Sequence, residues 1–276
     1  YYDLDSGLEA GTFELEPDLT IPDLAAILSR AVDQQVDLTF IEGWRLEEMA
    51  NYLEQVSPAA IDAQVFLAIV RRQEPFDLGG YDFLGSLPEE ATLEGFLFPD
   101  TYRVPVEADA AFLVSQMLDN FDRQITPAMR QAYGANGLTV HEAVTLASIV
   151  QREAVLGQER PLMAGVFLNR LALDMLLQAD PTVQYAVGYQ SQTERWWKSP
   201  LDQVDLETDS PYNTYRYGGL PPGPIANPGL ASLLAVAEPE ESDFLFFVVD
   251  CMAETTGQHV FSKTFEEHLA HVQACR

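Results

Sequence analysis

A glutamate at the end of an apolar helix face is the residue of this chain best placed to do chemistry. Thr139-Val140-His141-Glu142 has the form of a capping box and predicts a helix from Val140 to about Leu156. At about 100° per residue, Leu146, Ile149, Val150 and Glu153 fall within one arc of that helix. Ser148, Gln151 and Arg152 point elsewhere. A carboxylate in such a place pairs with a cation, takes up a proton, or lines a cleft. Desolvation raises its pKa, and the helix C-terminus acts in the same direction because that dipole end disfavours an anion. A carboxyl that keeps its proton near neutrality can work as a general acid. The competing role is structural, an ion pair with Arg160 or Arg170, and helix geometry alone does not reject it.

Two polar-aromatic clusters follow. Gln178, Asp180, Pro181, Thr182 and Tyr185 come just after a helix, and Tyr212, Asn213, Thr214, Tyr215 and Tyr217 sit in a long loop. Flat rings beside amide and hydroxyl groups can stack on sugar rings and hydrogen-bond their substituents. The same residues can equally stiffen a loop. His259, His268 and His271 do not have the His-Glu-x-x-His spacing of a zinc protease, and a surface or core role suits them better than a metal. The chain has no Gly-x-Ser-x-Gly elbow, phosphate loop, dinucleotide fingerprint or Cys-x-x-Cys pair. No metal and no cofactor is expected.

The elements that must position these groups read as mixed strands and helices without regular alternation, which favours an α+β fold. Thr12 to Leu15 alternates like a short strand, and Thr20 and Pro22 open a helix through Leu28. Val36 to Ile41 is again strand-like, Glu42-Gly43-Trp44 turns, and Leu46 to Val56 is helical. This strand-turn-helix repeat buries little by itself and needs a partner layer. Residues from about Gln73 to Glu90, rich in Gly, Pro and Asp, form a connection. A small N-terminal domain, 1–81, is therefore separated from a larger one, 82–276. In the second, a short aromatic segment Glu94–Tyr102, a helix Ala110–Arg123 and a helix after Arg160 are expected. Pro200 to Gly229 has no periodicity, and a loop that long in a compact domain is usually functional. A buried strand, Phe244–Val249, a turn and a short helix close the chain.

Composition narrows the partners. With 276 residues, 47% apolar and 11% aromatic, the chain can bury a core. Asp and Glu outnumber Lys and Arg by 43 to 15, a formal charge of -28, which disfavours nucleic acid and anionic lipid but leaves neutral sugars open. Cys251 and Cys275 could bridge in an oxidising compartment if their geometry permits it. No apolar run reaches the ~18 residues of a membrane span. The first residue is Tyr rather than Met, so a fragment of a longer protein is expected.

Several motifs follow one another along the chain, beginning with Glu94-Gly-Phe-Leu-Phe-Pro-Asp-Thr-Tyr102, Leu146-Ala-Ser-Ile-Val-Gln-Arg-Glu153 and Val166-Phe-Leu-Asn-Arg170. Met175-Leu-Leu-Gln-Ala-Asp-Pro-Thr-Val183, Ser210-Pro-Tyr-Asn-Thr-Tyr215, Gly219-Leu-Pro-Pro-Gly-Pro-Ile225, and His259-Val-Phe-Ser262 with His268 continue the series. Their order resembles that of the YceG-like (MltG) family of endolytic murein transglycosylases. Ala179 and Gln184 depart from the pattern without removing a reactive group. Gly11-Thr12-Phe13 and Ile41-Glu42-Gly43-Trp44 resemble the family's LysM-like N-terminal region less distinctively.

The resemblance implies a LysM-like N-terminal domain before a mixed α+β catalytic domain with a glycan-binding cleft. It makes Glu153 the catalytic residue. Glu153 would protonate the oxygen between N-acetylmuramic acid and N-acetylglucosamine, then take the proton of the muramyl C6 hydroxyl as that oxygen closes an anhydro ring. One carboxyl suffices because the nucleophile is intramolecular. Gln178, Asp180, Thr182, Tyr185, Asn213 and Tyr215 are expected to hold the glycan. Partners would be peptidoglycan strands and peptidoglycan synthases. The site of action would be the extracytoplasmic face of the bacterial membrane, reached through an N-terminal membrane helix absent from these residues. The alternatives are a hydrolytic muramidase that adds Asp180 as second carboxylate, and a peptidoglycan-binding scaffold without turnover.

Overall fold

A computed structural model describes residues 19–28, 35–56, 61–253 and 255–275. The strand expected at Thr12–Leu15 and the Gly11-Thr12-Phe13 motif lie outside them. The first described elements are α1 (Ile21–Leu28), β1 (Gln35–Thr39), α2 (Leu46–Val56), α3 (Ala63–Val70) and β2 (Thr101–Pro105). Five helices follow: α4 (Ala110–Gln124), α5 (Pro127–Ala135), α6 (Val140–Glu153), α7 (Arg160–Ala172) and α8 (Asp180–Val187). The chain ends with α9 (Gln203–Leu206), α10 (Leu230–Ala237), β3 (Phe246–Val249), β4 (His259–Ser262) and α11 (Phe265–Ala274). The fold is thus mixed α+β, with helices dominant and two small antiparallel sheets, β1-β2 and β3-β4, among the described residues.

β1 pairs with β2 from Gln35↔Pro105 to Thr39↔Thr101, so one sheet crosses the connection expected between residues 73 and 90. The core is equally continuous. Leu38, Leu53 and Phe66 belong to the same buried cluster as Phe96, Phe121, Tyr133 and Leu146. Phe83, Phe96 and Phe121 meet with ring centroids 4.9–6.1 Å apart, which ties the Gly- and Pro-rich connection to α4. Each such ring taken wholly from water contributes about 1.5–3 kcal/mol.

Helix α6 is the central element and packs against α5, α7, α8 and α10. Its start follows from the capping box: Thr139 Oγ1 accepts from the Glu142 N–H at 3.2 Å, and Glu142 Oε2 accepts from the Thr139 N–H at 2.8 Å. It stops at Glu153 rather than Leu156, because Ala154 already takes an extended backbone. From Ala143 to Val150 every residue is buried, so the helix is covered on more than the one face expected. Its polar side chains are used in that packing. Ser148 Oγ accepts from the Ile225 N–H (3.0 Å), and Gln151 Oε1 accepts from Ser232 Oγ (2.7 Å). The Arg152 guanidinium lies 3.8 Å from the Trp197 ring.

The Glu94 motif is fixed by a buried polar knot. Asn227 Oδ1 accepts from the N–H groups of Gly95 (2.9 Å) and Leu97 (3.1 Å), while its Nδ2 donates to Glu94 Oε1 (2.9 Å) and Trp44 O (3.0 Å). Gly95 has φ +88°, and a Cβ there would stand 2.5 Å from Pro224, so no other residue fits.

A cavity around Glu153 as candidate active site

The end of α6 opens on a cavity of about 410 Å³. Glu153 lines it together with Arg170 of α7, Leu177 and Gln178 of the following loop, Asp180 at the start of α8, and Tyr215. The opposite wall is Phe246 to Val249 of β3, His259 of β4, and Phe265 and His268 of α11. The strand expected to be buried at Phe244–Val249 is therefore only half-buried over most of its length. All four of its β3 residues, Phe246 to Val249, line the cavity.

Glu153 is itself half-buried, its side chain opening on the cavity while protein encloses the carboxyl. Desolvation pushes its pKa up to about 8, and the Asp180 anion adds to the rise; Arg170 and the Asp180 N–H act against it. Among the described residues no ion pair joins Glu153 to Arg160 or Arg170. Arg170 is committed elsewhere, with Nε donating to Leu245 O at 2.5 Å and Nη1 to Leu177 O at 2.6 Å. It braces the loop and β3 while supplying positive charge.

The sequence-derived candidates divide. Gln178, Asp180 and Tyr215 line the cavity. Tyr215 donates its hydroxyl to Asp180 Oδ1 at 2.6 Å, and desolvation, with that bond, raises the phenol's pKa. Gln178 has φ +47°, an uncommon backbone for a side-chain-bearing residue, held by the bond from its N–H to Thr214 O (3.1 Å). Thr182, Tyr185 and Asn213 do not reach the cavity. Thr182 is fully buried and bonds Ala179 O (2.7 Å) and Thr214 Oγ1 (2.8 Å), tying α8 to the Tyr215 loop. Asn213, also fully buried, donates to Leu206 O (2.9 Å) and Thr208 O (2.8 Å) and shapes that loop from inside. Tyr185 faces the Glu94 knot, its ring 4.1 Å from the Arg45 guanidinium and 4.8 Å from Tyr212. Thr182 and Asn213 thus hold the Tyr215 loop, and Tyr185 belongs to the Glu94 knot.

The β3 residues, His259, Phe265 and His268 were not singled out as cavity residues by sequence. The histidines drew notice as metal-ligand candidates and as part of a family motif, not as cavity residues, and among the described residues no group of three His, Cys, Asp or Glu side chains is placed to hold a metal. A second buried carboxyl was missed as well. Glu94, only 2% exposed, is raised to about 8 by desolvation and the nearby Glu47, but it lies in the Asn227 knot, away from the cavity lining.

A mostly helical α+β body carrying one desolvated glutamate in a polar-aromatic cavity has the parts that a general-acid enzyme needs. The profile of the YceG-like family matches residues 1–274, and the chain belongs to that family. It is 32% identical over 275 residues to the endolytic murein transglycosylase of Bacillus subtilis, covering 95% of this chain and 72% of that protein. The endolytic murein transglycosylase of Streptococcus pneumoniae serotype 2 is 31% identical over 278 residues, and there this chain spans about half (49%) of the relative. In structure it is similar to the crystal structure of a yceG-like protein from Listeria monocytogenes, with TM-score 0.70, 32% identity, and 98% of this chain and 86% of that chain covered.

Proposed function

We propose that this chain is a lytic transglycosylase that cleaves the bond between N-acetylmuramic acid and N-acetylglucosamine in peptidoglycan strands and leaves 1,6-anhydro ends. The observation that carries it is the place of Glu153: it lines the cavity, burial pushes its pKa up to about 8, and among the described residues it has no ion-pair partner. The names of the relatives support the substrate. Glu153 gives its proton to the bridging oxygen as the glycosidic bond breaks and positive charge grows at the muramyl C1. The carboxylate so formed takes the C6 hydroxyl proton while that oxygen bonds to C1, which returns Glu153 to its starting state. No water enters, so no second carboxylate is needed to activate one.

Gln178, Asp180 and Tyr215 contact the glycan in this reading, Thr182 and Asn213 hold the Tyr215 loop, and Tyr185 stands apart in the Glu94 knot. The β1-α2-α3-β2 succession, residues 35–105, is the unit we assign to the LysM-like module; the closing role of β2 supports a boundary after Pro105 rather than after residue 81. The Cys251–Cys275 disulfide supports an extracytoplasmic site of action, where such bonds persist. Anchoring by a preceding membrane helix and work beside peptidoglycan synthases complete the proposal.

One observation favours a hydrolytic reading, namely the closeness of Asp180 to Glu153. Product masses after digestion of purified sacculi separate the two: anhydro ends mark transglycosylation and reducing ends hydrolysis. In the same assay Glu153→Gln, folded by circular dichroism, is expected to lose about 10²–10⁴-fold in rate, the usual worth of a general acid. Near wild-type turnover in that variant would remove Glu153 from the mechanism.

A further inference from the structure

One residue of the cavity lining, His259, is paired with a buried carboxyl behind it, Glu159. Glu159 ends the short turn Gly157–Glu159 between α6 and α7, and its side chain is 10% exposed. One of its oxygens, Oε1, accepts from the backbone N–H of His259 at 2.9 Å, and the other, Oε2, lies 2.8 Å from His259 Nδ1. In the tautomer that donates from Nδ1 to that oxygen, Nε2 is the ring's acceptor nitrogen. The ring cannot turn freely, because Phe247 meets it edge-on at 5.6 Å. His259 lines the cavity that holds Glu153. The same carboxylate thus fixes the start of β4 and the tautomer of a histidine facing the candidate site.

We propose that His259 is a substrate-binding residue whose Nε2 accepts a hydrogen bond from a sugar hydroxyl, with Glu159 as the positioning residue that keeps this nitrogen an acceptor. The inference rests on the glycan-cleaving reading of the cavity. It assigns complementary polarity to the two walls. Glu153 on α6 donates a proton, and His259 on β4 receives a hydrogen bond. A sugar ring bearing hydroxyls and a bridging oxygen offers both partners. A purely structural His259 would serve only to satisfy the buried Glu159.

His259→Asn separates these roles. Its Nδ2 can occupy the place of Nδ1 and keep the bond to Glu159, but nothing replaces Nε2. Substrate contact predicts a fall of about tenfold or more in kcat/KM on purified peptidoglycan, the worth of an ordinary hydrogen bond, with the melting temperature little changed. Wild-type kcat/KM in this variant would overturn the proposal. Should the variant melt early, the imidazole nitrogen spectrum of Glu153→Gln protein decides, taken with and without a saturating GlcNAc–MurNAc oligosaccharide. A shift of the His259 Nε2 resonance supports contact, and an unmoved one refutes it. Wild-type protein yielding no anhydro ends would refute the cleavage reading itself, and the resonance reads glycan contact independently of turnover.

Discussion

With its carboxyl pushed up to about 8, Glu153 holds a proton through neutral pH and releases it as the pH passes that value. Turnover limited by the acid should therefore fall along an alkaline limb near pH 8. Stability follows by linkage. The unfolded carboxyl ionises near 4.5 while the folded one stays protonated to about 8, so the wild type loses stability progressively across that window. Glu153→Gln escapes the penalty. It should melt with the wild type at pH 4 and above it, by about 3 °C or more, at pH 8. A Gln variant that melts lower at neutral pH would mean that the ionised carboxylate is a favourable structural partner. The place of this residue at the end of an apolar arc was legible because a capping box set the helix phase, while its catalytic role came from the family resemblance and not from that phase. Thr182 and Asn213 were not separable from cavity residues, since a polar side chain reads alike whether it bonds a ligand or a turn. His259 was illegible for another reason: the carboxylate that orients it is 100 residues away.

Elements hold the cavity in place through connections of different strength. Asn227 joins the Glu94 motif, the Trp44 turn and the long loop by four hydrogen bonds inside the core. Asn227→Ala would leave two buried N–H groups and a buried carboxyl without their partner and should cost about 3 kcal/mol or more by denaturant unfolding. A cost below about 1 kcal/mol would show that the knot is not needed. The opposite wall is lighter. Helix α11 has no buried residue and packs on β3 and β4, and the Cys251–Cys275 bond ties its end to the turn between those strands. Reduction, or Cys275→Ser, should speed amide exchange in α11 and β4 and lower turnover while α6 exchange stays unchanged. Equal protection of α11 in oxidised and reduced protein would contradict this role. The helices with a cap or a clear face, α2, α4, α6 and α7, were readable. Ala63–Val70 and Leu230–Ala237 were not, because a run with a single polar residue, Gln64 or Ser232, carries too little phase to distinguish helix from strand. For α5, Thr126 and Pro127 did carry a start signal, an N-cap followed by Pro at the first turn.

At the scale of the whole molecule, composition excluded partners and motif order identified the family, but neither could show that β1 finds its partner strand beyond the connection near residue 81. Strand pairing at that separation depends on the core both strands cover, which local pattern does not record. The charge of -28 likewise leaves the substrate open, and the cavity lining adds Glu153 with its raised pKa, Asp180 and the committed Arg170. The central claim is that the nucleophile comes from the sugar and not from water. Digestion of purified peptidoglycan in oxygen-18 water, followed by mass spectrometry of the released muropeptides, tests it directly. The account predicts muramyl ends lighter by one water than reducing ends and free of the heavy isotope. Reducing ends carrying oxygen-18 as the main product would contradict it and make Glu153 and Asp180 a hydrolytic pair.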